Sequence, residues 1–126
     1  MGKQIILTEK APAPIGPYSQ AVESSGIIFL SGQIAINPDN GKIISTNIEA
    51  ETHQVMANLQ EVLKAAGLNF SHVLKSSIFV KDLADFGKIN TVYGSYFNEN
   101  PPARETVEVA RLPKDVHVEI SMIAAR

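Results

Sequence analysis

The sequence predicts an α+β fold, with a single mixed β-sheet and two helices on one of its faces. Three observations support this prediction. The predicted elements follow the order strands, helix, strand, helix, strands; both helical segments carry an apolar stripe; and neither a repeat nor a linker divides the 126 residues. One sheet with both helices on the same face is the simplest way to bury two stripes. We therefore expect one domain, residues 1–126, long enough to bury a substantial core.

The first third of the chain predicts three strands. Residues 4–7 form a short apolar run, and the loop KAPAPIGP that follows contains three prolines, which disfavour both helix and interior strand pairing. The segment YSQAVESSGIIFLSGQIAI alternates around the turn residues Ser24, Ser25 and Gly26. It therefore predicts two strands, and NPDNG ends the second of them.

A long helix is predicted next, because its ends and its apolar face are both marked. Thr46 and Glu49 have the spacing of a capping box, and Gly67 suits the end of the helix. Apolar residues recur at helical intervals between these signals. They are Ile48, Val55, Leu59, Val62 and Ala66.

A strand, HVLKSSIFV, separates this helix from a second one. Asp82 is the predicted N-cap of the segment DLADFGKINTVYGSYF, whose stripe consists of Phe86, Ile89, Tyr93 and Phe97. Each of its two glycines costs about 1 kcal/mol relative to alanine. Tertiary packing must therefore stabilise the second helix.

The last segment, PPARETVEVARLPKDVHVEISM, predicts a hairpin that turns near Leu112 and Pro113. Side chains alternate across a strand, so the valines of both strands would face the helices. The opposite face would then carry Arg104, Thr106, Glu119 and Ser121. In this prediction Arg104 points away from the helical core, and Glu105 points away from Arg104.

The ordinary interpretation of charges on such a face is that they are solvated. Two features favour a site instead: the rigid NPPA loop precedes Arg104, and the apolar residues Ile123 and Ala125 share the face with Glu119. An arginine binds a carboxylate through two parallel N–H groups, and a glutamate whose pKa is raised by burial can transfer a proton. We expect a cleft at a subunit interface that binds or hydrolyses a small carboxylate-bearing molecule.

Composition argues against several other classes. The net charge is −2 without a basic stripe, so nucleic acid is an unlikely partner; no apolar run is long enough to cross a membrane; and there is no cysteine. His53, His72 and His117 are scattered without a metal-ligand spacing. No leader segment is recognised before the first strand, so we expect a soluble cytoplasmic protein that binds no metal.

Four segments, APAPIGPYSQAV, FLSGQI, THQVMANLQEVLKAAG and PPARETVEVARLPKDVHVEI, closely resemble the RidA (YjgF) family of reactive intermediate deaminases. The resemblance extends from Ala11 to Ala125. It implies a chorismate-mutase-like fold and a homotrimer with clefts between subunits. It also implies hydrolysis of enamine and imine acids, such as 2-aminoacrylate and 2-aminocrotonate, to 2-oxo acids and ammonia. The resemblance further implies that neither a metal nor a cofactor is needed.

By the same resemblance, Arg104 is the carboxylate clamp, Glu119 positions or activates water, and Tyr18 forms a wall of the cleft. Ser31, Gly32 and Asn90 complete the surroundings. We expect a backbone role for Gly32, and an inward-pointing Asn90 with a structural role.

Two residues depart from the resemblance, because many relatives have Ser and Cys where this chain has Glu105 and Thr106. We expect Thr106 to place a small side chain toward the cleft. Two other functions stay open at this stage: an endoribonuclease or translation inhibitor, and a noncatalytic regulator that binds a small metabolite.

Overall fold

The structure, a computed structural model, describes residues 2–126. Within these residues the chain forms six strands and two α-helices. In chain order they are β1 (Gln4–Ile6), β2 (Ala21–Ser24), β3 (Ile27–Gln33), α1 (Ile48–Ala65), β4 (Val73–Val80), α2 (Phe86–Gly94), β5 (Ala103–Glu108) and β6 (Val118–Ala125).

All six strands belong to one sheet, in the order β1-β2-β3-β6-β4-β5. The neighbours pair antiparallel except β4 and β5, which are parallel. A parallel pair needs a crossover connection, and α2 supplies it. The predicted class, a single mixed sheet with two helices, is confirmed.

The predicted C-terminal hairpin is wrong, because β5 and β6 are not neighbours in the sheet. β6 lies between β3 and β4, and β5 pairs with the far side of β4 at the edge. The physical reason lies in the two sequences. Val118, Ile120, Met122 and Ala124 of β6 are all buried, as a central strand requires. β5 is rich in charged residues, which suit a sheet edge and discourage further strand addition.

Helix α1 begins one residue later than predicted. Its N-cap is Asn47, whose side-chain oxygen accepts a hydrogen bond from the Ala50 N–H at 2.7 Å, so Thr46 is not the cap. The helix ends where predicted, since Gly67 follows with φ of +77°. Its buried apolar face packs on the sheet and on α2.

Helix α2 is shorter than predicted. Asp82 does act as a cap, but of a single 3₁₀ turn, Leu83–Asp85, and the α-helix itself starts at Phe86 and ends at Gly94. Ile89, Val92 and Tyr93 form its buried face. Because the helix is only nine residues long, packing rather than intrinsic propensity stabilises it.

The two faces of the sheet differ sharply. The covered face lies under the helices, and one row of paired residues crosses all six strands on it: Ile6, Ala21, Leu30, Met122, Ser76 and Arg104. All but Arg104 are buried. The open face has no helix and carries the adjacent row, including Ile5, Val22, Phe29 and Ile123. Phe29 is 48% exposed there.

In the described part of the chain, no helix is both long and apolar enough for a membrane span.

Candidate active site

Arg104 and Glu119 lie on opposite faces of the sheet, so the prediction that they share a face is wrong. Arg104 is in register with Ser76 of β4, on the covered face, whereas Glu119 is in register with Phe79, on the open face. The cause is the parallel pairing of β5 with β4, which replaces the predicted pairing with β6. Thr106 accompanies Arg104 to the covered face, and Ser121 accompanies Glu119.

The arginine site consists of Arg104 and the residues of α2 that contact it. The Arg104 Nη1 group donates a hydrogen bond of 2.7 Å to the Oδ1 atom of Asn90. The guanidinium carbon lies 5.4 Å from the ring centre of Phe86 and 5.3 Å from that of Tyr93, within the range of cation–π attraction. These contacts hold the guanidinium at the outer edge of the covered face, where the remaining N–H groups can bind an anion.

Asn90 is exposed, so the prediction of an inward-pointing asparagine is wrong. The helix stripe turns Ile89 inward instead, and Asn90 projects from α2 toward the sheet edge. Its side-chain oxygen therefore contacts the Arg104 guanidinium and not the core. The spacing of Asn90 places it beside the apolar stripe of α2, but its partner Arg104 follows only from the position of β5 in the sheet.

Tyr93 secures α2 to the sheet beneath Arg104. Its hydroxyl donates a hydrogen bond of 2.9 Å to the Oγ atom of the fully buried Ser76. Burial raises the pKa of Tyr93 above its ordinary value of 10.0, although the bond to Ser76 and the nearby Arg104 act in the other direction. The phenol is therefore neutral, and its ring is the inner support of the guanidinium.

Thr106 has an unusual side chain within the described structure. Its Oγ1 atom is buried and has no hydrogen-bond partner among residues 2–126. Most buried hydroxyls find a partner, and an unsatisfied one carries a free-energy cost. Thr106 follows Arg104 by two residues on the same face of β5, so its unpaired hydroxyl is buried near the edge of the covered face.

The glutamate cleft opens on the other side of the molecule, with a volume of about 460 Å³. Glu119 forms part of its wall, and burial raises the pKa of this carboxyl above the ordinary 4.5. The cleft brings together four predicted residues: Tyr18, Ser31, Gly32 and Glu119. It also contains Lys114, which the sequence did not suggest and whose φ of +55° is rare for a residue with a side chain.

Gly32 lies directly against the Glu119 carboxyl. A Cβ atom at this position would overlap Oε2 and would lie 3.0 Å from the carboxyl carbon. The register of β3 with β6 shifts between Leu30 and Gln33, which produces this close approach. The predicted backbone role of Gly32 therefore agrees with the geometry.

The Pro-rich loop forms the outer wall of the cleft. Tyr18 is 52% exposed, so it does not cap the core, and the Ser31 hydroxyl donates to the Ser19 carbonyl at 2.6 Å. The buried Gln20 holds the loop: its Oε1 atom accepts from Thr8 N at 2.8 Å, and its Nε2 atom donates to Pro12 O at 2.9 Å. Gln20 is not predicted from the sequence, because alternation alone does not distinguish it from a surface glutamine.

Glu105 stays away from the arginine site, as predicted. It projects to the open face, where it accepts from the Ser77 hydroxyl and pairs with Lys75 at 3.2 Å. The bond from Ser77, followed by that from Lys75, lowers the pKa of Glu105 below 4.5. This charged residue therefore does not compete for the Arg104 guanidinium.

The three histidines lie apart from one another. His53 is 2.8 Å from the Tyr96 hydroxyl, His72 closes a capping box with Asn69, and His117 contacts Glu51 at 2.9 Å. Within residues 2–126, no three His, Asp or Glu side chains gather in a group that could hold a metal ion.

Comparison with known proteins places this geometry in a family. A RutC family protein of Pyrococcus horikoshii is 49% identical over 122 residues, which cover 97% of each chain. A mouse protein named 2-iminobutanoate/2-iminopropanoate deaminase is 43% identical, with 98% of this chain and 92% of the mouse protein covered.

The fold comparison agrees. The crystal structure of a Yersinia pestis protein of the conserved Rid family matches with a TM-score of 0.97 and 44% identity, covering 99% of this chain and all of the other. The family model described as Endoribonuclease L-PSP matches residues 8–126. The chain therefore belongs to this family, which includes the RutC and Rid proteins.

Proposed function

We propose that this protein is a deaminase that hydrolyses 2-enamine and 2-imine acids, such as 2-aminoacrylate and 2-aminocrotonate, to 2-oxo acids and ammonia. One observation carries the proposal: the chain has a guanidinium held by Asn90 on one face of its sheet and a carboxyl of raised pKa in a cleft on the other. The mouse relative, 43% identical, is named for this activity.

The two halves of the site meet between two copies of the chain. In a two-fold dimer each interface pairs a patch with itself, whereas a ring pairs two different patches at every interface. The arginine site and the glutamate cleft lie on opposite faces of the sheet, so they do not form one self-complementary patch, and a head-to-tail ring suits them better than a two-fold dimer. We propose a homotrimer of the chorismate-mutase-like type. The exposed Ile5, Phe29 and Val107 on the open face supply apolar surface for it.

The chemistry follows from the two groups. Arg104, oriented by Asn90, binds the substrate carboxylate through two N–H groups. Glu119 of the neighbouring copy protonates the imine nitrogen or accepts a proton from water as that water adds to C2. The resulting carbinolamine loses ammonia and becomes the 2-oxo acid, so imine and water give oxo acid and ammonia. Burial raises the pKa of Glu119, which favours a role in proton transfer.

The reaction demands little of the protein. Positioning and one proton transfer contribute about a hundred- to ten-thousand-fold, which is sufficient for a substrate that already decays in water. This chemistry requires no covalent nucleophile.

The test generates 2-aminoacrylate with a serine dehydratase, traps it with semicarbazide, and measures how much this protein diverts to pyruvate. Wild type should divert it, and Arg104→Ala and Glu119→Gln should each lose at least about a hundredfold. Co-refolding the two inactive variants should then restore activity. With random mixing, about one quarter of the interfaces would combine an intact arginine with an intact glutamate.

Three results would overturn the proposal in different ways. No recovery on mixing would mean that the two residues do not act across an interface. Wild-type cleavage of RNA without imine hydrolysis would favour a ribonuclease. Binding of 2-oxobutanoate without turnover would favour a metabolite-binding regulator.

A further inference from the structure

Glu51 is a buried carboxylate that belongs neither to the arginine site nor to the glutamate cleft. It lies in the first turn of α1 and is only 1% exposed. A buried charge is costly unless hydrogen bonds satisfy it. Among the ion pairs of the described residues, its partner is His117, and no lysine or arginine neutralises it.

All the partners of Glu51 lie at the beginning of β6. Its Oε2 atom accepts from the main-chain N–H of His117 at 2.7 Å and from that of Val118 at 3.2 Å. Its Oε1 atom lies 2.9 Å from His117 Nδ1. The positive end of the α1 dipole also favours a carboxylate in this first turn. The Glu51 side chain, which projects from α1, therefore binds two consecutive main-chain N–H groups, those of His117 and Val118.

The Val118 N–H would otherwise lack an acceptor on the β3 side. The pairing of β3 with β6 ends at Gln33 and Ile120, so Val118 lies beyond the last β3 partner. On the other side, β4 continues: Val80 pairs with Val118, and Lys81 N donates to the His117 carbonyl at 3.0 Å. Glu51 thus takes the place of the missing β3 residues at this end of β6.

The next residue after Val118 is Glu119, and its position leaves little freedom. Its carboxyl already lies against Gly32. A small displacement of β6 would therefore press the carboxyl onto Gly32 or move it away. In well-ordered sites a 1 Å misplacement can cost about a hundredfold in rate.

We propose that Glu51 is a positioning residue of the active site: it anchors the first residues of β6 and thereby holds the Glu119 carboxyl in the cleft. The inference rests on the proposed function, because it assigns Glu51 a role through Glu119. It predicts that the acceptor matters, not the charge.

The experiment compares three variants in steady-state imine hydrolysis. Glu51→Gln retains an oxygen for both main-chain donors and an N–H that can donate to His117 Nδ1, so kcat and KM should stay within about threefold of wild type. Glu51→Asp is one methylene shorter and should lower kcat at least about tenfold, with KM within about threefold. Thr52→Val is the matched control, since among residues 2–126 the buried Thr52 hydroxyl bonds only to Ile48 O of its own helix.

A second measurement keeps the inference separate from the deaminase function. Amide hydrogen exchange at Val118 and Glu119 should accelerate at least about tenfold in Glu51→Asp and not in Thr52→Val. If wild type hydrolyses no imine, the deaminase function fails, and the exchange rates alone decide whether Glu51 anchors β6. Unchanged kcat and exchange in Glu51→Asp would overturn the inference. So would equal losses in Glu51→Asp and Thr52→Val, or failure of Glu51→Asp to fold, which would make Glu51 a residue of the whole fold.

Discussion

The carboxyl group of Glu119 packs against the backbone of Gly32 with no room for a side chain between them. A bulge-like register shift in β3 creates this contact, and it directs the carboxyl into the cleft beside Tyr18 and Ser31. The contact therefore links a local irregularity of the sheet to the chemistry of the site.

Gly32→Ala should lower kcat at least about tenfold while the protein stays folded, because the new methyl group displaces the Glu119 carboxyl. Steady-state imine hydrolysis and a thermal melt measure the two effects. Gly94→Ala is the matched control: nothing lies within 4 Å of a Cβ there, so its activity should equal that of wild type. Full activity in Gly32→Ala would show that the carboxyl position is unimportant.

Asn90→Ala should raise KM about fivefold and change kcat less, because a lost hydrogen bond of about 1 kcal/mol loosens the orientation of Arg104. Saturation curves for imine hydrolysis provide both constants. Lys88→Ala, an exposed change on the same helix, serves as the control. A fall in kcat at constant KM would instead place Asn90 in the chemical step.

Thr106→Val should stabilise the free protein by up to about 1 kcal/mol, since it replaces a buried hydroxyl that lacks a partner with a methyl group of similar shape. Chemical denaturation monitored by circular dichroism measures the change. If the hydroxyl also contacts the substrate, KM should rise in the same variant. A loss of stability would mean that the hydroxyl has a partner in the assembled protein.

Glu119→Gln should change how stability depends on pH. An unfolded Glu119 loses its proton near 4.5, whereas burial in the cleft raises the pKa in the folded state. Between these two values the folded state binds more protons, so the free energy of unfolding of wild type falls as pH rises. Glutamine does not titrate, so the variant should gain stability relative to wild type as pH rises through this window, and the difference should level off above it.

Denaturation curves from about pH 4 to about pH 8 test this prediction. Glu105→Gln provides a contrast, because its carboxyl has a lowered pKa in the folded state. Its contribution to stability should be lost as pH falls, which is the opposite sign. Parallel pH profiles for wild type and Glu119→Gln would contradict the assignment of a raised pKa to this residue.

The sequence alone determined the class of the fold and most of its core, although Val107, predicted to face the helices, lies on the open face and is 42% exposed. The helical stripe of α1 and the alternation of Val118, Ile120 and Met122 each predict a buried face, and those faces are buried in the structure. These features depend only on the period of each element, which a linear pattern records. Even the small error at the start of α1 is local, since Thr46 and Asn47 are both good cap residues.

The candidate site was predicted only in halves. Tyr18, Ser31, Gly32 and Glu119 do meet in one cleft, but Arg104, Thr106 and Asn90 form a separate site on the other face. Alternation predicts which residues of one strand share a face, but it does not predict which strand is its neighbour in the sheet. β5 was assigned to β6, its neighbour in sequence, whereas the sheet places it beside β4.

The choice between those partners depends on long-range burial. A central strand pairs with a neighbour on each side and buries an apolar face. The apolar residues of β6 suit that position, whereas the charged residues of β5 suit the edge of a sheet. Tertiary structure therefore decided the side on which Arg104 projects, as well as the contacts of Gly32 and Glu51 with β6. Each is a contact between residues distant along the chain, and the pattern of a single strand carries no information about its partner.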